Sequence, residues 1–342
     1  MMGRRLRANT ALWSGLVMCG AALTGLVATS LPDTTPTATG AAASARQDGD
    51  EPCPPGLEAR LSDPGLPGLV PEGGELTPVQ AAEYEKKLRE ALEPLRAQDI
   101  APPREVPVVV HVIHGEDGEG RVSGERVREQ IETLNSAYGG RFSTGPQSTD
   151  TGFRFTLSDI TRTADDVWFS RFNDHRRTIR SQLHQGGPET LNIYTADLGP
   201  GLLGFSSFPQ DYADDPEQDG VVVAHDTLPG GDRARFDLGH TATHEVGHWL
   251  GLFHTFQNGC DTPGDYVSDT PYEREPATGC PEGRDTCRIR RGLDPVDNFM
   301  NYSDDACMTT FTSGQAERMA QHWAAFRDGG PRALTRTGAA AE

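Results

Sequence analysis

Apolar positions divide this chain into three stretches. Residues 11–28 are continuously small and apolar, residues 32–50 are Thr, Ala, Pro and Gly with no period, and from residue 77 onward helical and strand periods alternate. Tyr84, Leu88, Leu92 and Leu95 recur every three or four residues, predicting an amphipathic helix over 79–97, capped by Thr77 with Pro78 in its first turn. After Pro102 and Pro103, the β-branched run VPVVVHVI at 106–113 predicts a strand. A helix follows over 122–138 with Val127, Ile131 and Leu134 on one face. Alternation then predicts a strand over 153–157, a helix closing at Gln182 and Leu183, and strands over 191–195 and 220–224. A further helix begins near Leu238 and a last one spans 313–326, whereas between 259 and 297 regular periods give way to Asp, Pro and Gly. Strands and helices interleaved in one domain of about 200 residues imply an α/β (α+β) fold.

The N-terminus changes the compartment. Arg4, Arg5 and Arg7 precede the apolar stretch, as in an export signal over residues 1–30, with small residues for cleavage after Ser30 or within 41–45. An uncleaved anchor is the alternative, although the stretch is marginal against the roughly 20 residues that a span needs. Lipidation at Cys19 would place the bulky Met18 where a small residue belongs. Residues 31–103 are expected to be linker and pro-segment, 104–330 the catalytic domain and 331–342 a tail. Export to an oxidising compartment leaves Cys53, Cys260, Cys280, Cys287 and Cys307. The four late cysteines form two disulfides in any of three pairings, with Cys53 as the odd thiol. Charge narrows the partners: 31 basic against 50 acidic residues, a net charge of -19, would repel nucleic acid and anionic lipid.

The chemistry is concentrated in HEVGHWLGLFH at 244–254. His244 and His248, four apart on a helix, project from one face and can converge on one zinc ion. Glu245 lies beside that face, placed to take a proton from a metal-bound water. Gly251 can adopt the left-handed conformation that ends a helix, so that His254 returns as third ligand and the fourth position is left to water. By composition alone, the five fixed residues of this pattern would occur in roughly one chain of this length in ten thousand. Two histidines with a downstream carboxylate would be the competing metal set, and it leaves His254 without a role.

With the following NFMNY at 298–302, the motif resembles the metzincin zinc proteases, and within them the pappalysin family. VPVVVHVIHG, LNIYTADLGPGLLGFSSFP, GDYVSDTP and NFMNYSDDACMTTFTSGQAERM are similar to that family as well, over residues 106–319. The resemblance implies a metzincin fold with a twisted mixed sheet, an active-site helix and a disulfide-stapled irregular C-terminal subdomain. It also implies zinc on His244, His248 and His254, Glu245 as general base, Met300 as the floor beneath the imidazoles and Tyr302 beside the metal as oxyanion donor. It further suggests disulfides Cys260–Cys287 and Cys280–Cys307, and a calcium site for which Asp265, Asp269 and Thr270 offer hard oxygens. LLGFSSFP at 202–209 would form or border the edge strand that pairs with substrate. The S1′ wall would be 303–306, where Asp304 or Asp305 could favour cleavage before Arg or Lys. His240 falls on the ligand face of the helix, where relatives usually carry another residue, and is read as a hydrogen-bonding or surface residue. Cys53 could bind the zinc as a latency thiol, although its flanks lack the Arg and Gly expected of such a switch.

These features describe a secreted zinc endopeptidase, a hydrolase made as a zymogen and acting on protein or peptide substrates. A zinc-stabilised binding module would not need Glu245, and a hydrolase of non-peptide amides or esters would be separated by model substrates.

Overall fold

A computed structural model describes residues 57–62, 75–103, 105–143 and 149–328. The export signal, Cys19, the Thr/Ala/Pro-rich stretch, Cys53 and the C-terminal tail lie outside these residues.

The sheet is built outward from the β-branched run. Strand β2 (Val106–His114) has parallel neighbours on both sides, β3 (Phe155–Ala164) and β4 (Leu191–Ala196). The short β6 (Val221–Ala224) lies parallel to β4, and β5 (Leu202–Ser207) turns back antiparallel beside it. β1 (Leu57–Leu61) then pairs antiparallel with β5, giving the order β1-β5-β6-β4-β2-β3 and the mixed sheet expected. β4 and β6 are buried along their length and β2 almost so, which is why they read as continuous apolar runs.

Strand alternation feeds two cores. On one face Val108, Val110, Val112, Ile193, Val221 and Val223 pack against helices α2 (Gly124–Tyr138), α5 (His240–Trp249) and α6 (Ser313–His322). On the other, Ile113, Tyr194, Phe205 and Val222 meet Phe169, Phe172 and Ile179 of helices α3 (Asp166–Ser170) and α4 (Phe172–Leu183).

Several elements differ from their predicted bounds. β3 runs seven residues past the predicted end at Leu157, through SDITRTA, because it is the outer strand and its half-exposed positions carry polar residues. Helix α1 (Pro78–Leu92), held by a reciprocal cap between Thr77 and Gln80, stops at Leu92, where Pro94 lacks the N–H needed to continue. It does not stand apart from the domain: Tyr84 donates to Asp211 at 2.5 Å, Arg318 pairs with Glu85 at 2.8 Å, and Leu76, Ala81 and Tyr84 pack on Phe208 and Phe253. The irregular segment is stapled by Cys260–Cys287 and Cys280–Cys307, the pairing the resemblance implied.

Candidate active site

Every residue of α5 is buried, and its end decides the metal geometry. Gly251 has φ +93°, and a Cβ there would lie 2.2 Å from the His322 ring, so conformation and space both demand glycine. Arg318 donates to the Gly251 carbonyl at 3.0 Å, holding the turn that brings His254 back to the helix. The three Nε2 atoms then lie 3.1, 3.1 and 3.2 Å apart. Tetrahedral zinc with bonds of about 2.0–2.1 Å asks for about 3.3 Å. His244 Nδ1 lies 2.7 Å from the Phe299 carbonyl and His248 Nδ1 2.8 Å from that of Leu252, so those N–H groups are committed and Nε2 presents a lone pair. Burial pushes the His248 pKa down to about 3 and those of His244 and His254 well below the usual imidazole range. Neutral, buried imidazoles aiming at one point form a donor set that fits zinc, and they are the one such cluster of three among the described residues.

The surrounding residues shape that point. A Cβ on Gly247 would meet Met300 Sδ at 2.3 Å, so the turn methionine packs directly against the helix that carries the histidines. Asn298 holds this turn by accepting from the Met300 N–H at 2.9 Å. Tyr302 packs on His254 and His244 with ring centroids 4.9 and 5.8 Å apart. Glu245 lies beneath β5: a Cβ on Gly204 would come within 3.0 Å of its Cγ and 3.1 Å of its Oε1, so the bare glycine makes room for the carboxylate.

The cleft is filled by the chain's own β1. Arg60 registers opposite Gly204, immediately above Glu245, and the Tyr302 hydroxyl donates to the Ala59 carbonyl at 2.6 Å. The Arg60 guanidinium is buried, bonding the Ser303 carbonyl at 3.0 Å and reaching Asp305 at 3.4 Å and Thr241 at 3.5 Å. Desolvation lowers its pKa, while Asp305, Glu245 and Tyr302 push it back up. Asp305 is fixed at the start of α5, accepting from the N–H groups of Leu238 at 3.0 Å and His240 at 3.3 Å. Of the two acids considered for this wall, Asp305 is therefore the one inside, and Asp304 faces out to a bidentate pair with Arg235. His240 is buried, with Nδ1 2.9 Å from the Asp305 carbonyl, so it braces the wall and belongs neither to the surface nor to the metal.

Residues 190–324 match the family described as pregnancy-associated plasma protein-A, peptidase family M43. Extracellular metalloprotease 1 of Coccidioides posadasii is 41% identical over 262 residues, 75% of this chain and 90% of that one. The chain belongs to the pappalysin family. An extracellular metalloprotease of Verticillium alfalfae is also 41% identical, over 64% of this chain and 76% of its own. Among solved structures, a promirolysin mutant of Tannerella forsythia aligns with TM-score 0.60 and 27% identity over 72% of this chain and 87% of that one. Mature mirolysin in complex with a cleaved peptide aligns with TM-score 0.56 and 29% identity over 65% and 95%. This pappalysin is accordingly a zinc metalloendopeptidase with a His triad, and its substrates are proteins or peptides.

Beyond the zinc site, the pappalysin's irregular segment gives the three residues considered for calcium different partners. Asp265 is buried, and among the described residues its Oδ2 and the Thr270 Oγ1 have no hydrogen-bond partner, although the hydroxyl is near enough to favour the charged carboxyl slightly. Burial pushes the Asp265 pKa up to about 7. Asp269 accepts from Thr312 at 2.7 Å and the Gly314 N–H at 2.9 Å at the start of α6. Sequence reasoning missed Arg60 and Glu273. Glu273 Oε2 accepts from Thr255 and Asn301, both at 2.8 Å, tying the residue after His254 to the residue after Met300, and Arg284 bridges it to Asp294. One acid among many in an aperiodic loop carries no signal of that kind.

Proposed function

We propose that the protein is a secreted endopeptidase that cuts before basic residues, with Glu245 as general base and acid and Tyr302 as oxyanion donor. Zinc held by the Nε2 atoms of His244, His248 and His254 would acidify a water and polarise the scissile carbonyl. Glu245 takes the proton from the attacking water and delivers it to the leaving amine. The Tyr302 hydroxyl, already directed at a backbone carbonyl, bonds the oxygen as charge develops there. β5 aligns the extended substrate through main-chain bonds, and Asp305 with the Ser303 carbonyl receives an Arg or Lys on the leaving side.

The observation that carries this reading is the position of β1: a peptide bond next to Tyr302, with a basic side chain on its C-terminal side seated against Asp305. The test is hydrolysis of casein and of a quenched peptide library by the zinc-loaded protein, beside Glu245→Ala and with a chelator. Cleavage N-terminal to Arg or Lys that disappears in both controls is expected. Fragments cut without regard to the following residue would remove the Asp305 role, and activity surviving in Glu245→Ala would remove the general-base role.

Asp265 and Thr270 are further proposed to hold calcium, since a buried acid and hydroxyl with unmatched oxygens are what a hard cation satisfies. Asp269 is not part of that set. Secretion through the residue 1–30 signal and latency through Cys53 complete the proposal, with N-terminal sequencing and thiol labelling of the exported protein as their checks.

A further inference from the structure

Exposed apolar and basic side chains coincide in the stapled irregular segment. Between Cys287 and Asp294 the chain reads RIRRGL, three arginines and no acid in a chain of net charge -19. Ile289 is 92% exposed, the most exposed large apolar side chain among the described residues, and Leu293 four positions on is 56% exposed. The loop is braced from behind. Cys287 is tied to Cys260, and the Arg290 N–H donates to the Cys287 carbonyl at 2.7 Å, closing a tight turn around Arg288 and Ile289. The Arg290 side chain folds back, its Nε donating to the Cys260 carbonyl at 3.0 Å and its guanidinium lying 4.6 Å over the Tyr272 ring. Gly292 has φ +96°, and a Cβ there would lie 3.0 Å from Pro271. The acid that ends the loop is engaged elsewhere: Asp294 accepts from the Thr286 N–H and hydroxyl, both at 3.0 Å, and pairs with Arg284 at 2.6 Å. Arg288 and Arg291 are exposed and enter no hydrogen bond or ion pair among the described residues.

We propose that residues 288–293 are a membrane-docking loop: Arg288 and Arg291 pair with the phosphates of an anionic phospholipid surface while Ile289 enters the interfacial layer beneath them. A soluble polyanion would match the two unpaired guanidiniums and give Ile289 nothing, whereas an apolar protein groove would take Ile289 and leave the guanidiniums unmatched. The headgroup layer of an anionic bilayer accepts both within one short depth, charge outside and hydrocarbon inside. Because the disulfide, the turn and the Arg290 contacts already fix the backbone, little ordering entropy is lost on contact. The net charge of -19 sets the far field, which salt screens beyond about 8 Å, so at contact the loop's own charge decides. The repulsion of anionic lipid inferred from the whole chain therefore does not extend to this loop. Two arginines and one isoleucine fall far short of a spanning helix, and docking is reversible.

The inference is independent of the peptidase reading and is tested by sedimentation of the full secreted chain with vesicles. Vesicles of equal parts phosphatidylglycerol and phosphatidylcholine should carry the protein down at physiological salt, and phosphatidylcholine alone should not. Arg288→Ala/Arg291→Ala should weaken partitioning about 30-fold. Ile289→Ser should weaken it about tenfold, with Tm and zinc content unchanged in both variants. Val79→Ser, at an apolar position of α1 that is 79% exposed, should leave partitioning as it is. In Ile289→Trp, the emission added to that of the parent should shift to the blue with the anionic vesicles and stay in place with soluble polyphosphate. Equal sedimentation with both lipids, or no loss in either loop variant, overturns the inference. So does binding that polyphosphate matches and Ile289→Ser leaves intact, since the loop would then read phosphate without entering a bilayer.

Discussion

Two cation sites lie close together around α5, and they are built on opposite principles. At the metal centre three imidazoles converge with Nε2 atoms 3.1–3.2 Å apart, each driven neutral by burial, so the site offers lone pairs and no net charge. At the pocket, one carboxylate at the start of the helix and one backbone carbonyl offer charge with few directional constraints, and Arg60 takes them at 3.4 and 3.0 Å. The first arrangement suits a small, strongly bound ion that remains through turnover. The second suits a guanidinium that arrives and leaves, as the proposed cleavage before basic residues requires. A buried charge with imperfect partners is held weakly enough to exchange, whereas three preorganised donors are not.

The sharpest way to separate the two sites is to remove their functions independently. Glu245→Gln should lower kcat/KM by about 10²–10⁴-fold with zinc content unchanged, and His248→Ala should lose the zinc as well, both read by peptide hydrolysis beside metal analysis. Tyr302→Phe should cost about 10²–10³-fold, mainly in kcat, if its hydroxyl acts as proposed on charge that develops only in the transition state. Asp305→Asn should lower kcat/KM for Arg-containing peptides by about 30-fold or more and leave neutral ones near the parent value. An equal loss on both classes would mean that Asp305 merely supports α5. Gly251→Ala should cost about 2 kcal/mol or more in thermal unfolding, through its left-handed backbone and contact with His322, and weaken zinc retention with it.

The smallest effect concerns Asp265, whose folded pKa of about 7 stands above the ordinary 3.8. A raised carboxyl favours folding while protonated, so its contribution is complete below about pH 4 and is lost as pH rises through about 7. Calcium-free protein should therefore lose about 2–4 °C in Tm between pH 5 and pH 8 relative to Asp265→Asn, and calcium should restore that loss at pH 8 in the parent alone. An identical pH slope in both proteins would leave Asp265 without a cation to hold.

The zinc centre was legible in the chain because it is local. Helix geometry places residues four apart on one face and a glycine six or seven residues along can end the helix, so HEVGHWLGLFH determined the three histidines that converge and the return of His254 within eleven consecutive positions. The central strands were legible for a related reason, since burial on both faces demands unbroken β-branched runs. The pocket was not: Arg60 meets Thr241, Ser303 and Asp305 across 181, 243 and 245 residues, and LEARL is too short and polar to mark itself as a strand. Nor could adjacent acids be told apart, because Asp304 and Asp305 differ only in which one the start of α5 turns inward. The same holds for Asp269, whose carboxylate is taken up by the start of α6. Local periodicity and backbone geometry thus determined the metal and the reaction, while the side chain admitted to the cleft and the cleft's present occupant were decided by contacts between distant segments, which only the folded chain brings together.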